Sequence, residues 1–591
     1  MRQFFKFTIA TVVGILLCLF FLVIVASIFL YFASKEEKTI VEPNTVLHLK
    51  LDYDIPDHTQ PESVGFGASS FGFKDRLGVN DIMADLDKAA QDDNVKGILL
   101  DLSNISVGMG LAEELRQKLT EFKESGKFIY AYGEMMTQKA YYLASVADSV
   151  FINPKGIVLL KGFSTELTFY KESLDRLGVE PEIFYAGNFK SATEPIRYTK
   201  MSDYNRLQIR ELLNGYQKNY LETIAQARKI SVEEVTDVVG QLRIQKAEDA
   251  KQHHIVDDLL YIDQVRSRLC QRMGIDADKD LPLIELKKYH SAAPATSKGF
   301  KKDKIGILFA EGDIIDGKGD EGSIASEDYI NAIRKLREDK NLKALVLRVN
   351  SGGGSSLASD LILRELDLLQ QKGIPVIASM GDVAASGGYY ISCHADTIVA
   401  QDNTVTGSIG VFGLTVELDD FYRKKLGFTF DTVKTSQHSD FPLSPILNRD
   451  YTEGEKAIMQ AGVDRIYEDF LHVVASGRGM SRDQVHEVAQ GRVWRGQKAK
   501  EIGLVDVMGG LDDAVKIAAQ KAGLTDNEYR TVNYPEQKDK WERILGDFMA
   551  QTRQSWLKDE LGDQYIYYRQ LKDILGVRSV QMKMPFDLKI D

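Results

Sequence analysis

Three short segments of this sequence carry residues that could together hydrolyse or transfer an acyl group. Ser386 is followed by two glycines, so a carbonyl group could reach both its hydroxyl and an unobstructed backbone amide. Lys190 lies in Gly-Asn-Phe-Lys-Ser-Ala, residues 187–192, with aromatic and apolar residues around it. A lysine that burial keeps uncharged can take the proton of a serine hydroxyl. Residues 350–356, Asn-Ser-Gly-Gly-Gly-Ser-Ser, could direct backbone amides at an oxyanion.

Each segment also has a purely structural explanation. A glycine-rich turn between a strand and a helix is a common connection, and a serine often packs where a helix approaches a strand. A single lysine is usually a solvated surface charge, and lowering its pKa costs about 1.4 kcal/mol per unit. Histidine is the usual partner of a catalytic serine. His394 and His438 are the nearest histidines, but neither lies in a recognised triad motif such as GxSxG.

The sequence contains an internal repeat. Residues 94–100, Asn-Val-Lys-Gly-Ile-Leu-Leu, reappear in similar form as residues 341–347, Asn-Leu-Lys-Ala-Leu-Val-Leu. Later matches between the two halves keep the same offset to within one residue. A chain of 591 residues is too long for one ordinary domain. The repeat therefore predicts a body made of two homologous halves.

The two copies differ where the candidate residues lie. The second copy reads Ala-Ala-Ser-Gly-Gly at 384–388, whereas the first reads Met-Thr-Gln-Lys-Ala at 136–140. The first copy also lacks the glycine run at the matching place, and the stretch near His438 that matches the Lys190 segment has no lysine there. Because this glycine run occurs only in the half that has the serine, a functional role for the run is favoured over a purely structural turn. The sequence thus predicts a nucleophile in one half and a base in the other.

Alternating strand and helix patterns must position these residues. Apolar runs at 305–310, 344–349, 374–380 and 397–400 are typical of buried strands. Helical patterns cover 329–337 and 357–371, and a short helix begins near Ser386. Repeated strand-helix units of this kind predict an α/β fold with largely parallel strands.

The N-terminus predicts a membrane anchor, residues 1–38. Residues 7–34 carry no charge, and the apolar run is long enough to span roughly 30 Å of hydrocarbon as a helix. A cleaved signal peptide is the alternative, but its apolar region is typically only about 7 to 15 residues long. Arg2 and Lys6 precede the run, whereas Lys35 and Lys38 are offset by acidic neighbours, which favours a cytoplasmic N-terminus and a body on the outer side.

The remaining boundaries follow from the repeat and from breaks in periodicity. We expect a first half at residues 39–291, a linker at 292–303, a second half at 304–535 and a helical tail at 536–591. The net charge of −12 and the absence of a dominant Lys/Arg cluster argue against nucleic-acid binding. Three cysteines without a CxxC or HExxH pattern predict neither a disulfide framework nor a metal site.

Together, these motifs resemble the signal peptide peptidase A family, also called protease IV, in its long duplicated form. The resemblance rests on the apolar anchor, the duplication and several motifs in the order expected: 187–192, 348–355, 384–389 and Thr-Gly-Ser-Ile-Gly at 406–410. It covers nearly the whole chain after the anchor.

The resemblance implies a tandem ClpP/crotonase-like fold and a membrane-anchored serine endopeptidase without a cofactor. It implies that Ser386 is the nucleophile, Lys190 the general base and Ser408 the residue that orients the lysine, with the backbone amides of Gly353 and Gly387 as the oxyanion hole.

The resemblance also implies a homotetramer in the bacterial inner membrane, with its body on the periplasmic side. The implied substrates are signal-peptide remnants and other extended apolar peptides. One departure is Gly352, where the family usually has proline; this change loosens the turn but removes no amide that the chemistry needs.

Three other functions remain open from the sequence. A crotonase-type acyl-CoA enzyme would share the fold but has no use for an outward-facing anchor or a Ser/Lys pair divided between halves. An inactive membrane scaffold would be expected to have lost Ser386, Lys190 or Gly353, all of which are present. A protease for misfolded envelope proteins would use the same residues, and the sequence does not separate it from a signal-peptide peptidase.

Overall fold

The computed structural model describes nine stretches of the chain and part of segment 6–24. These stretches are residues 39–61, 75–276, 280–292, 301–319, 322–441, 446–447, 449–525, 528–535 and 580–584. The predicted anchor lies largely outside them, although the described residues between 6 and 24 are helical. Across the described part of the chain, no helix combines the length and the apolar character needed to cross a membrane. Most of the predicted linker and nearly all of the predicted helical tail also lie outside the described residues.

The first half alternates strands and helices, as the sequence predicts. Its strands are β1 (Thr45–Lys50), β2 (Gln60–Pro61), β3 (Asp75–Arg76), β4 (Val95–Asp101), β5 (Phe128–Met136), β6 (Ser149–Val158), β7 (Glu180–Ala186), β8 (Asp258–Leu259) and β9 (Leu283–Glu285). Its helices are α1 (Val79–Gln91), α2 (Met109–Glu124), α3 (Gln138–Ala144), α4 (Lys171–Leu177), α5 (Glu194–Arg197), α6 (Asp203–Arg228), α7 (Val232–Gly240), α8 (Ala247–Gln252), α9 (Ile262–Met273) and α10 (Leu286–Ser291).

The second half repeats this order. Its strands are β10 (Asp303–Glu311), β11 (Asp313–Ile315), β12 (Ser323–Ala325), β13 (Leu342–Ser351), β14 (Gly353–Ser355), β15 (Val376–Ala385), β16 (Thr397–Ala400), β17 (Val405–Gly407), β18 (Val411–Glu417), β19 (Ile446–Leu447), β20 (Val493–Arg495), β21 (Val507–Met508), β22 (Tyr529–Tyr534) and β23 (Gln581–Lys583). Its helices are α11 (Ser326–Glu338), α12 (Ser356–Gln371), α13 (Gly387–Ser392), α14 (Glu453–Arg478), α15 (Arg482–Val488), α16 (Gly496–Glu501) and α17 (Leu511–Lys521), with one π-helical turn at Phe421–Lys425.

Each half is built on a largely parallel sheet. The strands of the first sheet run in the order β8-β6-β5-β4-β1-β9, and those of the second in the order β20-β17-β15-β13-β10-β22, with β16 beside β15 and β21 beside β16. The series β1-β4-β5-β6 corresponds to β10-β13-β15-β16, and both series are parallel throughout. The predicted duplication and the predicted α/β class are therefore confirmed. Parallel strands that are covered on both faces need continuous apolar runs, and this explains the largely apolar sequences of β4 and β13.

Helix α12 shows how local sequence sets an element boundary. The Ser355 hydroxyl accepts a hydrogen bond from the Ala358 amide, which satisfies one of the free donors at the start of the helix. Ile362, Leu366 and Leu369 lie on its inner face and are buried in the core of the second half. The helix follows directly on β14, so its first turn holds the glycine strand in place.

A third sheet joins the two halves. Its main order is β12-β11-β14-β23-β18-β19, and β7 of the first half pairs antiparallel with β18. This pairing runs along the whole of both strands, from Glu180 opposite Glu417 to Ala186 opposite Val411. The pairing of β7 with β18 in the third sheet therefore joins the first half to the second.

A buried ion network strengthens the contact between the halves. Arg348, on β13, is 1% exposed and donates to Asp57 at 2.7 Å and to Glu114 at 2.6 Å, both of which belong to the first half. Next to it, the Leu111 amide at the start of α2 donates to the Asp382 carboxylate at 2.9 Å. Asp382 belongs to β15, which leads directly to Ser386. The network therefore anchors the strand that carries the candidate nucleophile.

Candidate active site

Ser386 occupies the junction between a strand and a helix. Strand β15 ends at Ala385 and α13 begins at Gly387, as the sequence predicts. The backbone of Ser386 has φ 55° and ψ −114°, a combination that costs a non-glycine residue on the order of 1–3 kcal/mol. Its amide donates to the Gly407 carbonyl at 2.8 Å, and its side chain is buried. The surrounding sheet thus holds the hydroxyl in one place despite the strained backbone.

Pairing between β7 and β18 delivers Lys190 to this junction. The chain leaves β7 at Ala186 and turns at Gly187, whose φ is 106°. A Cβ atom on Gly187 would lie 2.4 Å from the Gln490 carbonyl, so only glycine fits this turn. The Phe189 amide then donates to the Gln490 carbonyl at 2.9 Å. Lys190 follows, and its side chain reaches Ser386 in the second half.

The Lys190 amine contacts both serines that the sequence singles out. Lys190 Nζ lies 2.9 Å from Ser386 Oγ, 3.1 Å from Ser408 Oγ and 3.3 Å from the Ser408 carbonyl oxygen. Lys190 is 1% exposed. Burial alone lowers the pKa of Lys190 well below its ordinary value.

The three contacts of the amine suit its uncharged form as well as its charged form, and burial favours the uncharged one. A neutral lysine amine has two N–H donors and one lone pair. Two partners on Ser408, the carbonyl and the hydroxyl oxygen, accept the two donors. The lone pair then faces Ser386 Oγ at 2.9 Å, which is the arrangement a base needs to receive the serine proton.

Ser408 is itself held in a fixed orientation. Its backbone has φ 51°, again in the region that non-glycine residues rarely adopt. Its amide donates to the Arg492 carbonyl at 2.7 Å, and its side chain is fully buried. Ser408 therefore contacts the lysine amine through both its hydroxyl and its carbonyl oxygen.

The two predicted oxyanion glycines lie side by side. Gly353 has φ 101°, and a Cβ atom built on it would lie 2.6 Å from the Gly387 amide nitrogen. In this structure the Gly353 amide donates to Ser351 Oγ at 3.1 Å. Because Gly387 directly follows Ser386, the backbone of Gly353 lies beside the residue that follows the candidate nucleophile. A side chain at Gly353 would block this space.

A polar network behind Lys190 was not predicted from the sequence. Gln208, on α6, is buried; its side-chain amide donates to the Phe189 carbonyl at 3.1 Å and to Ser191 Oγ at 2.9 Å. Its side-chain oxygen accepts from the Val493 amide at 3.3 Å. Gln208 therefore links the lysine loop of the first half to β20 of the second. A polar residue between Leu207 and Ile209 was the only signal in the sequence.

The two histidines that could have replaced Lys190 do not reach the site. His394 Nδ1 lies 2.9 Å from Asp367, and its Nε2 lies 3.0 Å from the Val473 carbonyl. His438 is half exposed and lies 3.7 Å from Glu455. Neither forms a hydrogen bond with Ser386, which leaves Lys190 as the base that this geometry offers. Within the described residues, no group of three or more His, Cys, Asp or Glu side chains could hold a metal ion.

Comparison with known proteins identifies the family. The model of peptidase family S49 matches residues 121–276 and 368–525, one match in each half. The chain belongs to peptidase family S49. It is 35% identical to the chloroplastic serine protease SPPA of Arabidopsis thaliana over 78% of this chain and 68% of the relative. It is 36% identical to Protease 4 of Salmonella typhi over 78% of this chain and 74% of the relative.

Membership of S49 confirms two expectations from the sequence. The protein is a serine peptidase, and its body is a duplication of the S49 domain. Among solved structures, a mutant ClpP1 from Listeria monocytogenes aligns with 35% of this chain and 94% of its own at 17% identity, with a TM-score of 0.24.

Proposed function

We propose that this S49 peptidase is a membrane-anchored endopeptidase in which Ser386 is the nucleophile and Lys190 the general base. One observation carries the proposal: a fully buried lysine amine without a carboxylate partner among its hydrogen bonds lies 2.9 Å from a serine hydroxyl. An ammonium ion in this position would be desolvated and would have no ion-pair partner among the residues that the structure describes, so the neutral form is favoured.

The reaction follows from the positions of these atoms. Lys190 Nζ removes the proton from Ser386 Oγ while Oγ attacks the peptide carbonyl carbon, giving a tetrahedral oxyanion. The amine, now protonated, gives its proton to the leaving nitrogen as the C–N bond breaks, which leaves an acyl-enzyme. A water molecule then loses a proton to Lys190 and attacks the ester, and the same proton returns to Ser386 when the acid product leaves.

The amides of Gly353 and Gly387 stabilise the oxyanion in this mechanism. Backbone N–H donors aimed at a developing charge cost no reorganisation during the reaction, and removing one such donor typically lowers kcat by about 10²–10³-fold. Binding of substrate would require the Gly353 amide to exchange its bond with Ser351 Oγ for the oxyanion. Ser408 keeps the lone pair of Lys190 directed at Ser386 through both turnover steps.

The proposal includes the substrate class and the location. We assign the enzyme to cleaved signal peptides and other extended apolar peptides, with residues 1–38 as its anchor in the bacterial inner membrane, its body on the periplasmic side and a homotetrameric assembly. The anchor is supported by the uncharged apolar run of residues 7–34 and by the basic residues that precede it. The substrate class and the tetramer are supported by the motifs shared with the signal peptide peptidase A family. Light scattering of the detergent-solubilised protein would give the protomer number, and a monomer would contradict the tetramer.

Active-site labelling tests the chemistry. Detergent-solubilised protein is treated with a fluorophosphonate, and wild type is compared with Ser386→Ala, Lys190→Ala and Ser392→Ala. Ser392 is a matched control because it is a fully buried serine on α13 whose hydroxyl donates to the Gly388 carbonyl. We expect labelling and peptide hydrolysis to be lost in the first two variants and retained in the third. Full labelling of Ser386→Ala, or near-normal hydrolysis by Lys190→Ala, would contradict the mechanism.

A further inference from the structure

A cavity at the contact between the two halves lies outside the candidate active site, and neither Ser386 nor Lys190 lines it. It encloses about 590 Å³, which is within the size range of small-molecule sites. The first half contributes residues of α2 and α6 to its wall. The second half contributes residues of β20, β21, α16, α17 and the loop after β16. A ligand in this cavity would therefore contact both halves at once.

The charged side chains that line the cavity carry an excess of negative charge. Five are acidic and two are basic: Glu113, Glu222, Asp402, Glu501, Asp513, Lys218 and Arg495. Each basic side chain already has an acidic partner in the lining, because Arg495 donates to Asp402 and Lys218 lies 3.9 Å from Glu222. Glu501 forms an ion pair with the lysine three residues before it on α16. The lining therefore favours a cationic ligand over an anionic one.

The two remaining carboxylates, Glu113 on α2 and Asp513 on α17, have no cation within ion-pair distance among the described residues. Each is held in place by a backbone amide. The Asn403 amide donates to Glu113 Oε2 at 2.9 Å, and the Gly510 amide donates to Asp513 Oδ2 at 2.9 Å. A carboxylate can accept about four hydrogen bonds, so both retain lone pairs for a ligand. One of these carboxylates belongs to each half.

The surroundings of Glu113 favour the arrival of a positive charge. Burial raises the pKa of its carboxyl to about 7. The Asn403 amide and the Arg495 guanidinium act in the opposite direction, whereas the Asp402 carboxylate adds to the rise. An ammonium group beside Glu113 would offset the desolvation of the carboxylate and return it to its ionised form. The ion pair would be stronger here than at an exposed surface, because less water screens it.

A second polar group in this wall is not satisfied by the protein. Asn403 is 1% exposed, and its side chain is directed at the wall, where its amide nitrogen donates to Asn219 Oδ1 at 3.1 Å. Its side-chain oxygen has no hydrogen-bond partner among the described residues. Buried polar groups are nearly always paired, with protein, water or ligand. The unpaired oxygen is consistent with a hydrogen-bond donor that is supplied from outside the chain.

The lining suits a ligand whose positive charges are separated rather than a single ion. In the part of the chain that the structure describes, no three acidic, histidine or cysteine side chains are grouped for a metal ion. Side-chain amides lie between the carboxylates and can accept from ammonium groups: Gln117, Asn219, Gln401 and Gln497. Met508 offers an apolar contact for methylene groups. A linear polyamine has this combination of ammonium groups and methylene spacers.

We propose that this cavity binds a linear polyamine, with one ammonium group on Glu113 of the first half and another on Asp513 of the second. The ligand bridges the two halves and adds to the contacts that hold Lys190 against Ser386. Binding requires neither of these two residues, so the site stands apart from the proposed chemistry.

Calorimetric titration of the detergent-solubilised full chain with spermidine tests the proposal. The titration is carried out at low ionic strength and at about pH 8, where the Glu113 carboxyl is largely ionised. Glu113→Gln and Asp513→Asn are the test variants, because each removes one charge and keeps an oxygen that can accept from the backbone amide. Glu124→Gln is the matched control, since it removes the same charge from the exposed last residue of α2.

We expect saturable binding of spermidine to the wild type, with Kd raised about tenfold or more in each test variant and less than about twofold in the control. At about pH 6 the Kd of the wild type should rise about tenfold, while that of Glu113→Gln should stay nearly constant.

The absence of saturable binding, or equal Kd values in the test and control variants, would overturn the proposal. Loss of binding in magnesium chloride but not in sodium chloride of the same ionic strength would also overturn it, because the cavity would then prefer a metal ion. Melting temperatures without ligand show whether each variant is folded, and if one test variant fails to fold, the other decides.

Discussion

Replacing Lys190 with methionine is predicted to stabilise the protein and to make that gain depend on pH. The pKa of Lys190 is lowered well below its ordinary value by burial. In the unfolded chain the same lysine titrates near its ordinary value of about 10.4. Between these two pKa values the unfolded state binds one proton that the folded state does not. Stability of the wild type therefore rises with pH across this window and falls as pH is lowered.

The magnitude follows from the linkage relation. One proton bound only in the unfolded state gives a slope of about 1.4 kcal/mol of unfolding free energy per pH unit. Methionine matches the length and apolar stem of lysine without a titratable group. The difference in unfolding free energy between Lys190→Met and wild type should therefore shrink by about that amount per pH unit as pH approaches about 10. Loss of the base should at the same time lower kcat by about 10²–10⁴-fold.

Urea unfolding followed by intrinsic fluorescence measures this difference at several pH values in the same detergent. Taking the difference between two proteins cancels the titration of every group that they share. Lys155→Met is the control, because Lys155 is exposed and lies on β6, and we expect its curve to run parallel to that of the wild type. If the Lys190→Met and wild-type curves are also parallel, Lys190 is charged in the folded protein, and the base assignment is refuted.

Three further predictions concern other parts of the molecule. Arg348→Met should reduce the unfolding free energy by about 3–5 kcal/mol, because it leaves the buried carboxylates of Asp57 and Glu114 without their cationic partner. Arg482→Met, which breaks a partly exposed pair with Glu468, should change it little in the same denaturation assay. Gln208→Leu should lower kcat by about tenfold with little change in KM and move the acid limb of the pH-rate profile, whereas the exposed Gln226→Leu on the same helix should change neither. Carbonate extraction should leave the full chain in the membrane pellet, and deletion of residues 1–38 should release it to the supernatant; release of the full chain would contradict the anchor.

The sequence predicts the local environment of Ser386 well, because that environment is built from neighbours in the chain. A buried strand, a serine and two glycines are enough to place the hydroxyl at the start of α13. The internal repeat also predicts the parallel order of the main strands, since equivalent runs must occupy equivalent places. Both features depend on periodicity and register, which a single sequence carries.

The contact between Lys190 and Ser386 could be predicted only through the family resemblance. It depends on the antiparallel pairing of β7 with β18, two strands separated by more than two hundred positions in the chain. No hydrophobic pattern indicates which strand of the other half β7 will meet. The same limit applies to Gln208, whose hydrogen-bond partners come from both halves, and to β23, a strand within the tail 536–591 that the sequence predicts to be helical.

The first half explains why each chain builds one such site rather than two. Gln138 stands where the second half has Ser386, and its side-chain oxygen accepts from the Gly162 amide at 3.0 Å. Its carbonyl accepts from the Tyr220 hydroxyl at 3.1 Å. These bonds tie the start of α3 to the loop at Gly162 and to α6, so Gln138 has a structural role in this copy. The stretch of the second half that matches the Lys190 segment, in turn, has no lysine in that place.

A site divided in this way depends on how the halves are fixed to one another. The distance between Lys190 and Ser386 depends on the β7–β18 pairing and on the ion network around Arg348, in addition to the turns next to each side chain. A substitution in that network can therefore alter the reaction while both catalytic side chains stay intact. For Arg348→Met, we accordingly expect kcat to fall in the fraction of protein that remains folded, whereas a purely global loss of stability would leave kcat per folded molecule unchanged.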